Sequence, residues 1–334
     1  MEWYLPVIWA GLIGTAVMLY VVLDGFDLGI AILFPTTRDE SERDQMMNSV
    51  APFWDGNETW LVLGGGGLWV AFPQAYAIIM PAFYIPIILM LLALIFRGVA
   101  FEFRWVAKPH HHRWDVAFWL GSTVAAFSQG LVLGGLIEGV KVENGQFAGG
   151  PLDWLTPFTV MCGAGVVIGY ALLGATWLLY KTEGTVAERA RRQARALLIG
   201  LMAFAALVSV WTPYAHPRIA ERWFEPSNLV WLWPFPVLTA LCGYLAWRRL
   251  GGSHEFAPFA LTIAIFLLCF LGLSISNFPY LVPPGVTIWD AAAAPASHIF
   301  VLIGVLFLLP MILFYTAFVY WTFRGKVRAE GGYH

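Results

Sequence analysis

Apolar residues run along this chain in long blocks, broken by short polar or Pro/Gly-rich connections. A helix that crosses a membrane needs roughly 20 such residues at 1.5 Å rise each. Blocks of that kind lie near 5–34, 52–72, 76–103, 114–139, 155–180, 195–214, 228–247, 258–282 and 298–323. Lipid leaves an open sheet with unsatisfied backbone, so the pattern predicts nine spanning helices and no strand in the membrane. The first block is too long for a cleaved leader and no basic stretch precedes it, so it is expected to remain as a span.

Composition agrees with the pattern. Of 334 residues, 59% are hydrophobic and 12% charged, against about 25% charged in a soluble domain. The chain is expected to be an all-α polytopic membrane protein whose surface faces membrane lipid. A net charge of −2 gives no reason to expect nucleic acid. Connections after the odd-numbered spans hold 15 Lys and Arg and the other connections 3, with Arg97 inside span three. The positive-inside rule then places the N-terminus outside and the C-terminus in the cytoplasm. The most basic connection, KTEGTVAERARRQAR at 181–195, separates a first group of four spans from a second, with span nine left over. No clear sequence repeat relates the two groups. Cys162, Cys242 and Cys269 lie far apart in apolar stretches without a CxxC, and are expected to be small buried apolar side chains.

Charges inside spans need a reason, since each costs at least ~2.5–3.5 kcal/mol at a helix centre. Span one contains VVLDGFDLGI, with Asp24 and Asp27 on one face and Gly25 and Gly29 beside them. Glycines there let another helix come close. Span three carries Arg97 in LIFRGVAFEFR, followed by Glu102. Helical rise puts Arg97 about 10 Å above the inner boundary and Asp27 about 16 Å before Arg38, which are compatible depths. Two readings stay open: a structural ion pair of Arg97 with Asp27 or Asp24, or a proton-handling role for Asp24.

Span two opens with APFWDGNETW and continues into LVLGGGGLWVAF. Asn48 or Ser49 is expected to cap it, with Pro52 in its first turn. Asp55 and Glu58 fall in the first turns, where the positive end of the helix dipole favours anions. They read either as ordinary N-terminal acids or as carboxylates that collect protons at the cytoplasmic mouth of a buried path. Trp54 and Asn57 share that turn and suggest a packed site. Gly64, Gly65, Gly66 and Gly67 offer a packing seam, either internal or against a partner.

The histidines are His110, His111, His112, His216, His254, His298 and His334. None lies in mid-membrane, so this chain is expected to hold no haem and no metal of its own. HHHRWD at 110–115 reads as a solvated basic loop rather than a metal site. There is no P-loop, dinucleotide fingerprint or nucleophile triad. A redox centre, if the protein belongs to an enzyme, is expected in another chain.

DGFDLG at 24–29, APFWDGNETW at 51–60 and FRGVAFEFR at 96–104 resemble subunit II of the cytochrome bd-type quinol oxidases, a family that includes cyanide-insensitive members. FPYLVPPGVTIWDAAAAP at 278–295 and FYTAFVYW at 314–321 are similar to it too, so the resemblance runs nearly end to end. It implies two four-helix bundles, at 1–140 and 154–283, and a peripheral helix at 298–324. It implies a larger partner, subunit I, that holds the haems (b and d, or b only), oxidises quinol near the outer face and reduces oxygen to water. Protons for that reaction come from the cytoplasm, so a gradient forms without pumping. The Trp–Asp pair associated with proton uptake in the family matches Trp54 and Asp55, with Glu58 next to them. Asp24, Asp27 and Arg97 match family positions that are structural or proton-related, and Trp60 would lie near a route for oxygen. The resemblance also allows for a bound structural quinone and a small single-helix accessory subunit. The competing class is a membrane transporter or channel subunit, in which buried charges and glycine-rich helices also occur.

Overall fold

The structure, a computed structural model, describes residues 3–107 and 111–327. The chain folds in the order α1 (Tyr4–Leu33), α2 (Glu40–Asn48), α3 (Trp54–Ala71), α4 (Pro73–Ala82), α5 (Tyr84–Val106), α6 (His112–Glu138), β1 (Val142–Glu143), β2 (Gln146–Phe147), α7 (Pro157–Lys181) and α8 (Gly184–Ala215). It continues through α9 (Pro217–Phe224), α10 (Pro226–Leu232), α11 (Pro234–Arg249), α12 (Phe256–Asn277), β3 (Tyr280–Val282), β4 (Val286–Thr287) and α13 (Pro295–Thr322). Among the described residues eight helical segments are long and apolar enough to cross a membrane. The span expected at 52–72 is α3, which is helical but has only 18 residues and a polar first third.

Prolines explain two of the places where the sequence pattern and the helices part, whereas α8 simply begins earlier than the expected 195–214, at Gly184, and takes in most of the basic connection. Span three divides into α4 and α5 at Phe83 (φ −115°, ψ 29°). Pro86 supplies no N–H and crowds the carbonyl four residues back, at that break. The span near 228–247 divides in the same way at Trp233–Pro234 into α10 and α11. The connection after α1 is not simply polar loop: Asp39 accepts a hydrogen bond from the Ser41 N–H and caps α2. Asn48 and Ser49 therefore end α2 and do not cap α3, whose N-cap is Phe53 with no side-chain bond. The hairpin β1–β2 turns on Asn144 (φ 51°) and Gly145 (φ 75°), two residues suited to the positive φ of a two-residue loop.

α7 is the most enclosed helix and packs against α1, α6, α8 and α12. Its crossing with α1 is made backbone to backbone. A Cβ on Gly29 would sit 1.8 Å from the Tyr170 carbonyl oxygen, and one on Gly174 would sit 2.4 Å from the Gly29 carbonyl carbon. At Gly121 of α6 an added Cβ would come within 2.7 Å of the Ala93 carbonyl oxygen on α5. These contacts set α1 on α7 and α6 on α5, and α6 also packs on α1. α13, by contrast, is exposed along most of its length, and His298 alone among its residues is buried.

Asp115, within the stretch expected to be solvated, is 4% exposed and pairs with both Arg43 and Arg104. The closing turns of α5 and the start of α6 pull it into a packed ion network. His110 and His334 lie outside the described residues. Cys162 is buried, but Cys269 is exposed on its helix, because it falls on the outward face of α12.

Candidate functional site

Arg97 on α5 is 1% exposed and gathers three carboxyls from two other helices. Its Nη2 pairs with Asp24 Oδ1 and lies 4.0 Å from Asp27 Oδ2, both on α1. Its Nη1 donates to Glu58 Oε2 on α3 at 3.0 Å. Asp24 is fully buried and Asp27 2% exposed, while the Glu58 side chain keeps 28% of its surface open. Of the two alternatives for Arg97, the direct pair is with Asp24. Trp54 covers the guanidinium, with its ring centroid 5.6 Å from Arg97 Cζ, and stacks in turn on Phe101 at 5.1 Å.

One guanidinium facing three carboxyls is an unbalanced site. Asp24 Oδ2 and Asp27 Oδ1 are buried with no hydrogen-bond partner among the described residues. Asn57 supplies the close donor to Asp27: its Nδ2 reaches Asp27 Oδ2 at 2.8 Å and the Leu23 carbonyl at 3.2 Å. Tyr320 of α13 donates to Asn57 Oδ1 at 2.9 Å. On the far side, Tyr170 donates to Gln129 Oε1 at 2.6 Å, and Gln129 Nε2 donates to the Tyr20 hydroxyl at 2.7 Å, one turn before Asp24. Sequence reasoning missed Gln129, Tyr20, Tyr170 and Tyr320. A glutamine inside the apolar block 114–139 was the signal available, since a lone amide in a membrane helix needs a partner.

The remaining expected residues separate. Asp55 is exposed at the foot of α3, outside the cluster, one turn from Glu58. Glu102 is also exposed and takes no part in the Arg97 network: it lies on the opposite face of α5 from Arg97. Trp60 is 2% exposed against Ala16 and Tyr20, with no partner for its indole N–H among the described residues. The four glycines do two things. A Cβ at Gly64 or Gly67 would meet Val17 or Ile13 of α1 at 3.2 and 3.1 Å, whereas one at Gly65 or Gly66 would meet nothing within 4 Å. Half of the seam is therefore internal and half faces outward, on the same side as Asp55, Thr59, Val62 and Trp69.

Among the described residues no group of three His, Cys, Asp or Glu side chains could hold a metal ion. His298, the one buried histidine among the described residues, has its Nε2 2.8 Å from the Ala71 carbonyl oxygen.

Fold and site together define a multi-pass helical membrane subunit with a charged cluster buried between α1, α3 and α5. The family model for "Cytochrome bd terminal oxidase subunit II" matches residues 5–323, and the chain belongs to that family. It is 32% identical to the cytochrome bd-I ubiquinol oxidase subunit 2 of Escherichia coli K12, across 97% of this chain and 95% of that protein. It is 28% identical to the cytochrome bd ubiquinol oxidase subunit 2 of Bacillus subtilis, across 96% of each. The fold is that of a chain in the bd oxidase structure from Geobacillus thermodenitrificans, with a TM-score of 0.75 at 19% identity over 95% of this chain and 98% of that one. Membership makes this a subunit of an oxidoreductase complex in the bacterial inner membrane.

Proposed function

We propose that this chain is the haem-free subunit of a quinol:oxygen oxidoreductase and carries protons from the cytoplasm toward its partner. The reading places nine helices in the membrane as two groups of four, 1–140 and 154–283, with α13 peripheral, the N-terminus outside and the C-terminus in the cytoplasm. The partner, subunit I, supplies haems b and d, or b only. There, two quinols give up four electrons and four protons outward, and oxygen takes four electrons and four cytoplasmic protons to give two waters. Charge moves across the membrane without a pump. A structural quinone, a small accessory subunit and an oxygen route past Trp60 are compatible with this scheme.

The observation that carries the reading is the unbalanced cluster with an open acid at its foot. Asp55 is exposed at the N-terminus of α3, and Glu58, one turn on, is partly open and already bonded to Arg97. Residues three apart on a helix are neighbours, about 5–6 Å between Cβ atoms. A proton taken up at Asp55 can pass to Glu58, and from there reach Asp24 around the Arg97 guanidinium. Trp54 shields that step from solvent. The outward Gly65–Gly66 face above Asp55 is where the partner lies in this scheme.

Asp55→Asn tests it. The substitution keeps shape and removes the proton carrier, so quinol:oxygen turnover falls about ten-fold, equal to roughly 1.4 kcal/mol on the barrier. The reduced-minus-oxidised haem spectrum of the purified complex stays intact. Wild-type turnover in that variant would remove the uptake role and leave the chain an assembly subunit.

A further inference from the structure

We infer that Tyr320, on the peripheral helix α13, is a positioning residue for the Asp27 carboxylate and acts through Asn57. This rests on the proton-uptake reading of the cluster above.

The carboxylate of Asp27 is faced by Asp24 from its own helix, by Arg97 from α5, by Glu58 and Asn57 from α3, and by Tyr320 from α13. Arg97 spends its close contacts on Asp24 and Glu58 and stays 4.0 Å away. The nearest donor to Asp27 is therefore a neutral amide, Asn57 Nδ2 at 2.8 Å. An amide works there only one way round. Turned over, it would set its oxygen against Asp27 Oδ2 and the Leu23 carbonyl, two acceptors. With the direction set by those two acceptors, the Tyr320 hydroxyl donates to Asn57 Oδ1 at 2.9 Å and anchors the amide from its other side. Both heavy atoms of the amide are then engaged.

The attachment of α13 makes this bond more than packing. α13 bonds both ends of α3, and at its outer end the His298 carbonyl also accepts from the Trp9 indole N–H of α1. At the outer end His298 Nε2 meets the carbonyl of Ala71, the last residue of α3. At the inner end the Tyr320 ring stacks on Phe53 at 4.5 Å and 22°, and its hydroxyl reaches Asn57. Between them the helix is largely exposed, with Leu306, Phe307, Met311 and Phe314 each at least 60% open. The inner end of α13 thus places the hydroxyl of a half-buried tyrosine against the charged cluster, where it bonds the amide that hydrogen-bonds Asp27.

Tyr320→Phe removes the hydroxyl and keeps the ring stack. In the purified two-subunit complex we expect unchanged haem content and quinol KM, with kcat lowered about five-fold. Asn57→Ala breaks the same chain from α3 and carries the test if Tyr320→Phe does not assemble. Because both act through one contact, the double variant should lose no more than Asn57→Ala alone, and Tyr320→Phe should have no further effect in an Asp27→Asn background. Wild-type kcat in Tyr320→Phe, or a loss that multiplies with that of Asp27→Asn, would overturn the assignment. Asp55→Asn measured alongside separates the two levels. A slow Asp55→Asn with a normal Tyr320→Phe defeats only the positioning role. Normal turnover in both defeats the uptake reading on which it stands.

Discussion

Two clusters of charge are buried in this protein, and they are built on opposite plans. Where α5 ends and α6 begins, Arg104 bonds Asp115 Oδ1 at 2.6 Å and also Asp44, while Arg43 takes Asp115 Oδ2 at 2.7 Å. Two cations meet two carboxylates, and both oxygens of Asp115 are paired. The buried atom left over is an N–H group, Arg104 Nη2. Deeper along α5, Arg97 alone faces Asp24, Asp27 and Glu58, and the leftover buried atoms there are carboxylate oxygens, Asp24 Oδ2 and Asp27 Oδ1. A balanced network in low dielectric holds its protons as they are. A site with surplus carboxyls can take a proton up and give it back, since doing so brings it nearer neutrality. The first cluster fixes α2, α5 and α6 together, and the second has the surplus of carboxyls that the proposed proton uptake calls for.

The largest effect expected on this contrast is at Arg97. Arg97→Ala strips the sole cation from the unbalanced site and leaves buried carboxylates without compensation, a loss of about 3–5 kcal/mol for a broken buried pair. No haem-bearing complex should be recovered with this chain, and normal assembly of the variant would show that the cluster does not depend on the pair. Arg104→Ala is milder, because Arg43 still holds Asp115. A loss of roughly 1–3 kcal/mol, the cost of leaving a buried acceptor unmet, should lower the melting temperature of the complex. Turnover per haem should stay at the wild-type value, and a proportionate loss of turnover would merge the two clusters into one functional unit. The smallest effect concerns acid. The Arg189 hydrogen bond, helped by Thr37, holds the Glu42 carboxyl down at about 2 from an ordinary 4.5. A depressed folded value stabilises above the unfolded one, so the α2–α8 contact is at full strength above pH 4.5 and is lost as pH falls toward about 2. Proteolysis or hydrogen exchange of 40–48 across that window should show the loosening, and a pH-independent rate would deny it.

Much of the fold was legible because apolar blocks of spanning length leave few alternatives, and α1, α6, α7, α12 and α13 follow them closely. The misses trace to backbone chemistry that hydropathy does not carry. Pro86 and Pro234 cut two spans in pieces, and a short polar helix capped by Asp39 sits where a loop was expected. The cluster was half legible. Charges inside a span announce themselves, and depth arithmetic brought Arg97 to the aspartates of α1. Glu102 lies near Arg97 in sequence, yet five residues along a helix turn it to the other side. Glu58 was grouped with Asp55 at the helix mouth, yet one turn separates an acid bonded to Arg97 from an acid in the open. Tyr320 could not be tied to Asp27 from sequence, since 293 residues separate them and a tyrosine near the end of a membrane helix ordinarily marks the interface.

The most direct test of the contrast is a redox-induced infrared difference spectrum of the purified oxidase, recorded for wild type, Asp27→Asn, Asp24→Asn and Asp115→Asn. If the unbalanced cluster exchanges protons during turnover, a carboxyl band changes on reduction, is lost or displaced in Asp27→Asn or Asp24→Asn, and survives in Asp115→Asn. A spectrum unaltered by both cluster substitutions, or altered equally by all three, would contradict it.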